Sequence, residues 1–325
     1  MEPDGAHLRA ADVYGHKLLR HRLAWTLPAL AAVLSGCSLV PNASQPTAST
    51  PAPQASSSAT HSATARTNDP AGSPAPASSR NPTTLSTLPD AKGGGPGRFP
   101  PTGHGRLDGK VILVDPGHNG GNFAAASVIN RLIWNGREYE TCDTTGTQTN
   151  AGYTEALFNW RVALYLTADL RAAGATVVLT RTSDTGVGPC VTERAALGNE
   201  VHANAAVSIH ADGGPPGGRG FAILEPVADG INNAIVRPSA ILGADVRAAF
   251  AAGTGEPVSS YDGVDGIQPR DDLAGVNLST VPKVFIECAN MRNAADAALV
   301  TSPHWQVRAA RAIAAGLTTF VLSRR

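Results

Sequence analysis

Residues 110–121 read KVILVDPGHNGG. The first six form a nearly continuous apolar run, as expected of a strand buried on both faces of a parallel sheet. The run then breaks into small and polar residues, Asp115-Pro116-Gly117-His118-Asn119-Gly120-Gly121. Downstream, residues 154–173 carry Ala156, Leu157, Trp160, Ala163, Leu164 and Leu170 at helical spacing, and Gly174 stands where a C-cap belongs. Residues 176–180 are a β-branched strand, and 192–202 a helix. Residues 205–209 and 220–224 are strands, 239–251 a helix, 283–287 a strand and 305–322 a closing helix. Strands alternating with helices of this length predict βαβ units, an α/β domain around a mostly parallel sheet. Such sheets bind ligands beyond the carboxyl ends of their strands.

Those ends carry chemistry. His118 follows the first strand, His210 the third, and Glu287 the last, while Glu155 opens the helix after the His118 loop. Two histidines and a carboxylate make a hydrolytic zinc set, and a further carboxylate can serve as general base. Taken singly, each residue has a plainer reading: a loop histidine, or a first-turn glutamate facing the helix dipole. Glu287 ends an apolar strand, where an unpaired carboxylate is costly to bury. All four gathering at one sheet edge favours the metal reading. The segment Gly117–Gly121 has neither dinucleotide-fold nor P-loop glycine spacing. No G-x-S-x-G elbow for a serine hydrolase is present.

Around this domain the composition changes twice. Lys+Arg and Asp+Glu balance at 26 each in the 325 residues, which argues against a nucleic-acid partner. Residues 1–37 read as an export signal: Arg9, Lys17, Arg20 and Arg22 precede the short apolar run LAWTLPALAAVLSG, too short to span a bilayer as a helix. The run ends Leu34-Ser35-Gly36-Cys37, similar to a bacterial lipobox, which makes Cys37 the expected lipidation site. Residues 38–106 hold twelve of the 24 prolines and one aromatic, Phe99. So little apolar surface predicts an unstructured spacer. Residues 107–325 are the expected single folded domain, with 17 basic and 21 acidic residues and a net charge of −4.

The runs VILVDPGHNGG, TEALFNWRVALYLTADLRAAGATVVLTRTSD, VSIHADG and VPKVFIECANMRN, with Arg194 and Asn199 between them, together resemble the zinc-dependent N-acetylmuramoyl-L-alanine amidases of the type-3 family, closest to actinobacterial members. The resemblance covers residues 107–325 in order. It implies a three-layer α/β domain with a mostly parallel central sheet flanked by helices. It implies cleavage of the amide between N-acetylmuramic acid and L-alanine of the peptidoglycan stem peptide. It also implies one Zn²⁺ held by His118, Glu155 and His210, with Glu287 as catalytic base. Two features depart from the family: Cys288-Ala289 replaces Gly-Phe after the catalytic glutamate, and residues 123–153 are a long insert. Within the insert, residues 131–140 alternate around an Asn-Gly turn and predict a β-hairpin bordering the site.

Asp212, Asn290 and Arg292 are the candidate substrate contacts. Of the four cysteines, Cys288 reads as a buried thiol, while Cys142 in the insert and Cys190 before a helix are the expected disulfide, since export leads to an oxidising compartment. The resulting expectation is a monomeric, exported peptidoglycan hydrolase, lipid-anchored at the outer face of the cytoplasmic membrane or in the cell wall. A catalytically silent wall-binding or regulatory protein and a zinc peptidase acting on stem peptides are the alternatives.

Overall fold

The structure is a computed structural model describing residues 95–324. The expected signal at 1–37, with Cys37, and residues 38–94 of the expected spacer lie outside the described residues. Nine strands run through the described chain: β1 Gly97–Phe99, β2 Val111–Pro116, β3 Leu132–Trp134, β4 Tyr139–Thr141, β5 Thr176–Leu179, β6 Ala205–Asp212, β7 Ala222–Pro226, β8 Ile267–Arg270 and β9 Lys283–Asn290. The helices are α1 Ala126–Ile129, α2 Glu155–Ala172, α3 Val191–Glu200, α4 Asn233–Thr254, α5 Ala274–Asn277, α6 Ala294–Val300 and α7 Pro303–Ser323. Seven strands form one sheet in the order β1-β5-β2-β6-β9-β7-β8. The central strands β5, β2, β6 and β9 are parallel, as is β8 to β7; β1 and β7 join antiparallel to β5 and β9.

The apolar run that opened the reading sits in the middle of this sheet. Ile112, Leu113 and Val114 are fully buried, each worth roughly 1.5–3 kcal/mol relative to exposure. Ile112 and Val114 face the larger core, shared with Phe158 and Leu166 of α2 and Ile313, Leu317 and Phe320 of α7. Leu113 points to the other face, against Ala206 and Val281 and the half-buried Leu197 of α3. One face thus carries α2, α4 and α7 and the other α3, giving three layers.

The structure departs from expectation in places that bear on the site. Gly97, Arg98 and Phe99 fall within the stretch assigned to the spacer, yet they pair with Leu179, Val178 and Val177 and bury Phe99. The folded domain therefore begins before residue 107. Strands β6 and β9 continue past the expected ends at 209 and 287, so His210 stands on a strand rather than in a loop and Glu287 lies within β9 rather than at its end. Helix α4 starts well before Ser239 and contains Pro238; the proline costs one helical hydrogen bond, and buried Ile235 anchors the turn before it. Strand β8 and helices α5 and α6 had no sequence signal: β8 reads IQPR, with a proline inside four residues, and the helices are short.

The hairpin forms as β3 and β4, with Trp134 opposite Tyr139. Asn135 makes its turn, its side-chain oxygen accepting from the amides of Arg137 and Glu138. Gly136 takes a φ of 104°, which a side chain rarely tolerates.

Candidate metal centre

Each side chain of the site is delivered by a different element. The chain leaving β2 turns sharply at His118, whose φ of 57° lies in the left-handed region. That conformation costs a non-glycine residue free energy and persists only where the surroundings impose it. Here Arg194 of α3 donates to the His118 carbonyl at 3.1 Å. Glu155 is the first residue of α2, placed by its N-cap, where the Thr154 side chain accepts from the Leu157 amide. His210 lies directly opposite Glu287 in the β6–β9 register, and an irregularity between His210 and Asp212 re-aims the strand end.

The ligand atoms of His118, Glu155 and His210 all lie within 4.8 Å of one another. Glu155 Oε1 is 3.2 Å from His118 Nε2 and 3.0 Å from His210 Nδ1. The two imidazoles stand edge to face at 4.9 Å, and Phe285 stacks on His210 at 5.3 Å. A Cβ on Gly117 would collide with the His210 ring, so this position needs a glycine for close approach. The other nitrogen of His118, Nδ1, faces Asp143 Oδ1 at 3.3 Å and the Thr144 carbonyl at 3.2 Å. Such a partner fixes ring orientation and raises ligand basicity.

Asp143 is itself clamped. Arg194 donates to Asp143 Oδ2 at 3.2 Å and to Asp115 Oδ1 at 2.9 Å. Asp115 also accepts from Thr180, Ser208 and Lys283. Burial alone would raise the Asp115 carboxyl, but Lys283 and Arg194 hold it far below the ordinary carboxylate range. The Cys142–Cys190 disulfide forms, with Cα atoms 4.7 Å apart. It ties the segment holding Asp143 and Thr144 to the start of α3, which supplies Arg194. Cys288 is free and buried.

The electrostatics sort the two glutamates. Burial raises Glu155, but His118 and then His210 outweigh it and keep the carboxylate ionised. Burial, with Glu155 and Asp212 nearby, pushes Glu287 well above its ordinary value. Burial would lower His118, but Glu155 and Asp143 raise it to about 10. Two carboxyl groups driven in opposite directions within one site mark different roles. The acidic surroundings that favour a protonated imidazole would equally favour a cation. Glu287 Oε2 is shielded from solvent and has no hydrogen-bond partner. The mixed imidazole–carboxylate set and this unpartnered oxygen fit a metal with a base beside it.

These residues line a cleft of about 450 Å³ that also includes Asp212, Arg270 and Leu273. Of the candidate substrate contacts, Asp212 reaches the cleft and bonds with Tyr261. Asn290 is fully buried, and its amide donates to the carbonyls of Pro215 and Gly218, so it shapes the neighbouring loop. Arg292 donates to the Gln148 carbonyl and does not line the cleft. Sequence reading missed Asp143 and Arg270. Asp143 had one available signal, its place beside Cys142. Arg270 had none; it ends the unforeseen β8 and is gripped by both oxygens of Asp272 at 2.7 Å.

Comparisons with known proteins bear on the same region. The sequence profile of the N-acetylmuramoyl-L-alanine amidase family matches residues 112–319. The N-acetylmuramoyl-L-alanine amidase Rv3717 of Mycobacterium tuberculosis is 41% identical over 219 residues, which is 67% of this chain and 89% of the relative. The crystal structure of the N-acetylmuramyl-L-alanine amidase Ami1 from Mycobacterium smegmatis is similar with a TM-score of 0.64 and 41% identity, covering 67% of this chain and 99% of that one. Its counterpart from Mycobacterium abscessus, in the apo form, has a TM-score of 0.62 and 38% identity, covering 66% and 99%.

Proposed function

The chain belongs to the N-acetylmuramoyl-L-alanine amidase family, and from that premise we propose that it hydrolyses the amide between the lactyl group of N-acetylmuramic acid and L-alanine with one Zn²⁺ held by His118, Glu155 and His210. The observation that carries this reading is the meeting of three ligand atoms within 4.8 Å, beside a carboxylate whose Oε2 has no partner. When bound, zinc supplies a Lewis acid that polarises the carbonyl and acidifies water.

The chain's own residues do the rest. Glu287 takes a proton from the attacking water as its oxygen adds to the lactyl carbonyl carbon. It returns that proton to the alanine nitrogen as the carbon–nitrogen bond breaks, leaving a lactyl carboxylate and a free amine. Its raised proton affinity suits a group that must hold a proton between those two events. Asp143 and the Thr144 carbonyl hold the His118 ring in its ligating orientation. Asp212 meets the substrate at the cleft wall.

The N-terminal reading supports an exported, wall-directed enzyme, with residues 1–37 as signal and Cys37 as lipid attachment point. No helix among the described residues is long and apolar enough to cross a membrane. Cys37→Ala should shift the protein out of the membrane fraction, as read by detergent-phase partition of cell extracts.

Separating metal binding from turnover tests the site. Glu287→Gln should keep stoichiometric zinc and lose about 10²–10⁴-fold in rate, whereas His118→Ala should lose both. Near-wild-type turnover by Glu287→Gln would remove Glu287 from the mechanism.

A further inference from the structure

The described residues leave eight large apolar side chains exposed, and five of them fall between residues 123 and 139: Phe123, Val128, Leu132, Trp134 and Tyr139. Three belong to the β3–β4 hairpin. Alternate residues of a strand share a face, so Leu132 and Trp134 stand together, with Tyr139 opposite Trp134 and Thr141 opposite Leu132. This face is open: Leu132 is 64% exposed, Trp134 51% and Tyr139 69%. The other face, Ile133 and Glu140, turns to the domain, where Glu140 accepts from the Ala274 amide at 2.9 Å.

The exposure does not come from a loose hairpin. Buried Asn135 donates to the Asp272 carbonyl, Arg137 pairs with Asp271, and the strand after the turn runs directly into the Cys142–Cys190 disulfide. The Trp134 and Tyr139 rings sit 5.3 Å apart at 68°, a preformed pair. A rigid exposed apolar patch of this kind marks an interaction surface. Its place relative to the metal centre says which partner fits. Glu140 and Thr141 line a cavity together with His118 and His210, which places the hairpin beside the candidate metal site.

We propose that the outer face of the hairpin, built on Trp134 and Tyr139 with Leu132 beside them, is a stacking platform for the glycan strand of peptidoglycan; this rests on the amidase reading above. The chemistry matches. A pyranose ring presents a flat face of C–H groups and a rim of hydroxyls. An aromatic face accepts the former, while the indole N–H and phenol O–H meet the latter. The family profile accounts for residues 112–319 as one catalytic domain, so among the described residues no other module is present to hold the polymer.

The test uses the full chain and peptide-free glycan strands as probe, measured by co-sedimentation or calorimetry. Wild type should bind them, and Trp134→Ala/Tyr139→Ala should bind about tenfold more weakly or worse, a drop equivalent to losing one good aromatic contact. The same variant should show a raised KM on long-chain peptidoglycan, Trp134→Phe should recover most of the affinity, and Ile241→Ser, on the exposed side of α4, should bind as wild type. An absence of glycan binding by wild type would overturn the proposal, as would a double variant within twofold of it. So would a patch that instead mediates self-association, seen as a dimer by sedimentation that the double variant dissociates, or vesicle binding in place of glycan binding. Glycan binding is read without cleavage. An inactive wild type that still binds glycan through this face would therefore count against the amidase reading alone.

Discussion

At the scale of single residues, what surrounds each proposed ligand decides its role. The four residues that carry the proposed chemistry were legible in the sequence because each stands at the carboxyl end of an apolar strand or at the start of the helix that follows. The groups that orient them were not. Asp143 lies just past the alternating part of the insert, and its relation to His118 exists only after residues 25 apart in sequence are folded together. Removing the charge tests its role: Asp143→Asn should keep the fold and weaken zinc affinity by about 10–100-fold, the usual cost of losing such a partner. Competition with a chromophoric chelator reads this directly, and unchanged affinity would leave Asp143 a structural residue only. The weak substrate assignments fared unevenly for a physical reason. Asp212 precedes a glycine-rich loop and reaches the cleft, whereas the Asn290 amide is consumed by the loop carbonyls of Pro215 and Gly218.

At the scale of elements, long periodic segments were readable and short ones were not. The spans of α2, β2 and β5 follow the apolar spacing closely. Strands β6 and β9 ran longer than read, because His210, Asp212 and Asn290 break the hydrophobic pattern while the backbone continues to pair. His210 and Asp212 line the cleft, so the local pattern fails beside the candidate site. The disulfide is the element-scale link between the insert, which holds Asp143, and α3, which supplies Arg194. Its closure of a loop of about 49 residues is worth ~4 kcal/mol in the chain-entropy model. Cys142→Ser/Cys190→Ser should therefore melt at lower temperature and also bind zinc less tightly, because Asp143 loses its tether. A calorimetric scan with a parallel zinc titration checks both. A lowered melting temperature with unchanged zinc affinity would confine the disulfide to stability.

At the scale of the whole molecule, Asp115 connects the strand order to the site. It lies between β5 and β6, accepts from Thr180, Ser208, Arg194 and Lys283, and all of these are buried. Its folded pKa is depressed, so its stabilisation is fully present above the unfolded value of about 3.9 and fades as pH falls toward the folded one. Asp115→Asn should cost roughly 3–5 kcal/mol near neutral pH, because two buried cations lose their partner. The gap from wild type should narrow only below pH ~4. Denaturant unfolding across pH 3–8 measures it, and a gap that stayed constant down to pH 3 would contradict the assignment. The central claim, however, is chemical. Its most direct measurement is mass analysis of the products released from a defined muropeptide by the zinc-loaded chain. The account predicts an intact stem peptide with a new alanine amino terminus, a sugar fragment ending in a lactyl carboxylate, and no products once the metal is stripped. A stem peptide cut between amino acids with the sugar still attached, or cleavage that survives metal removal, would contradict it.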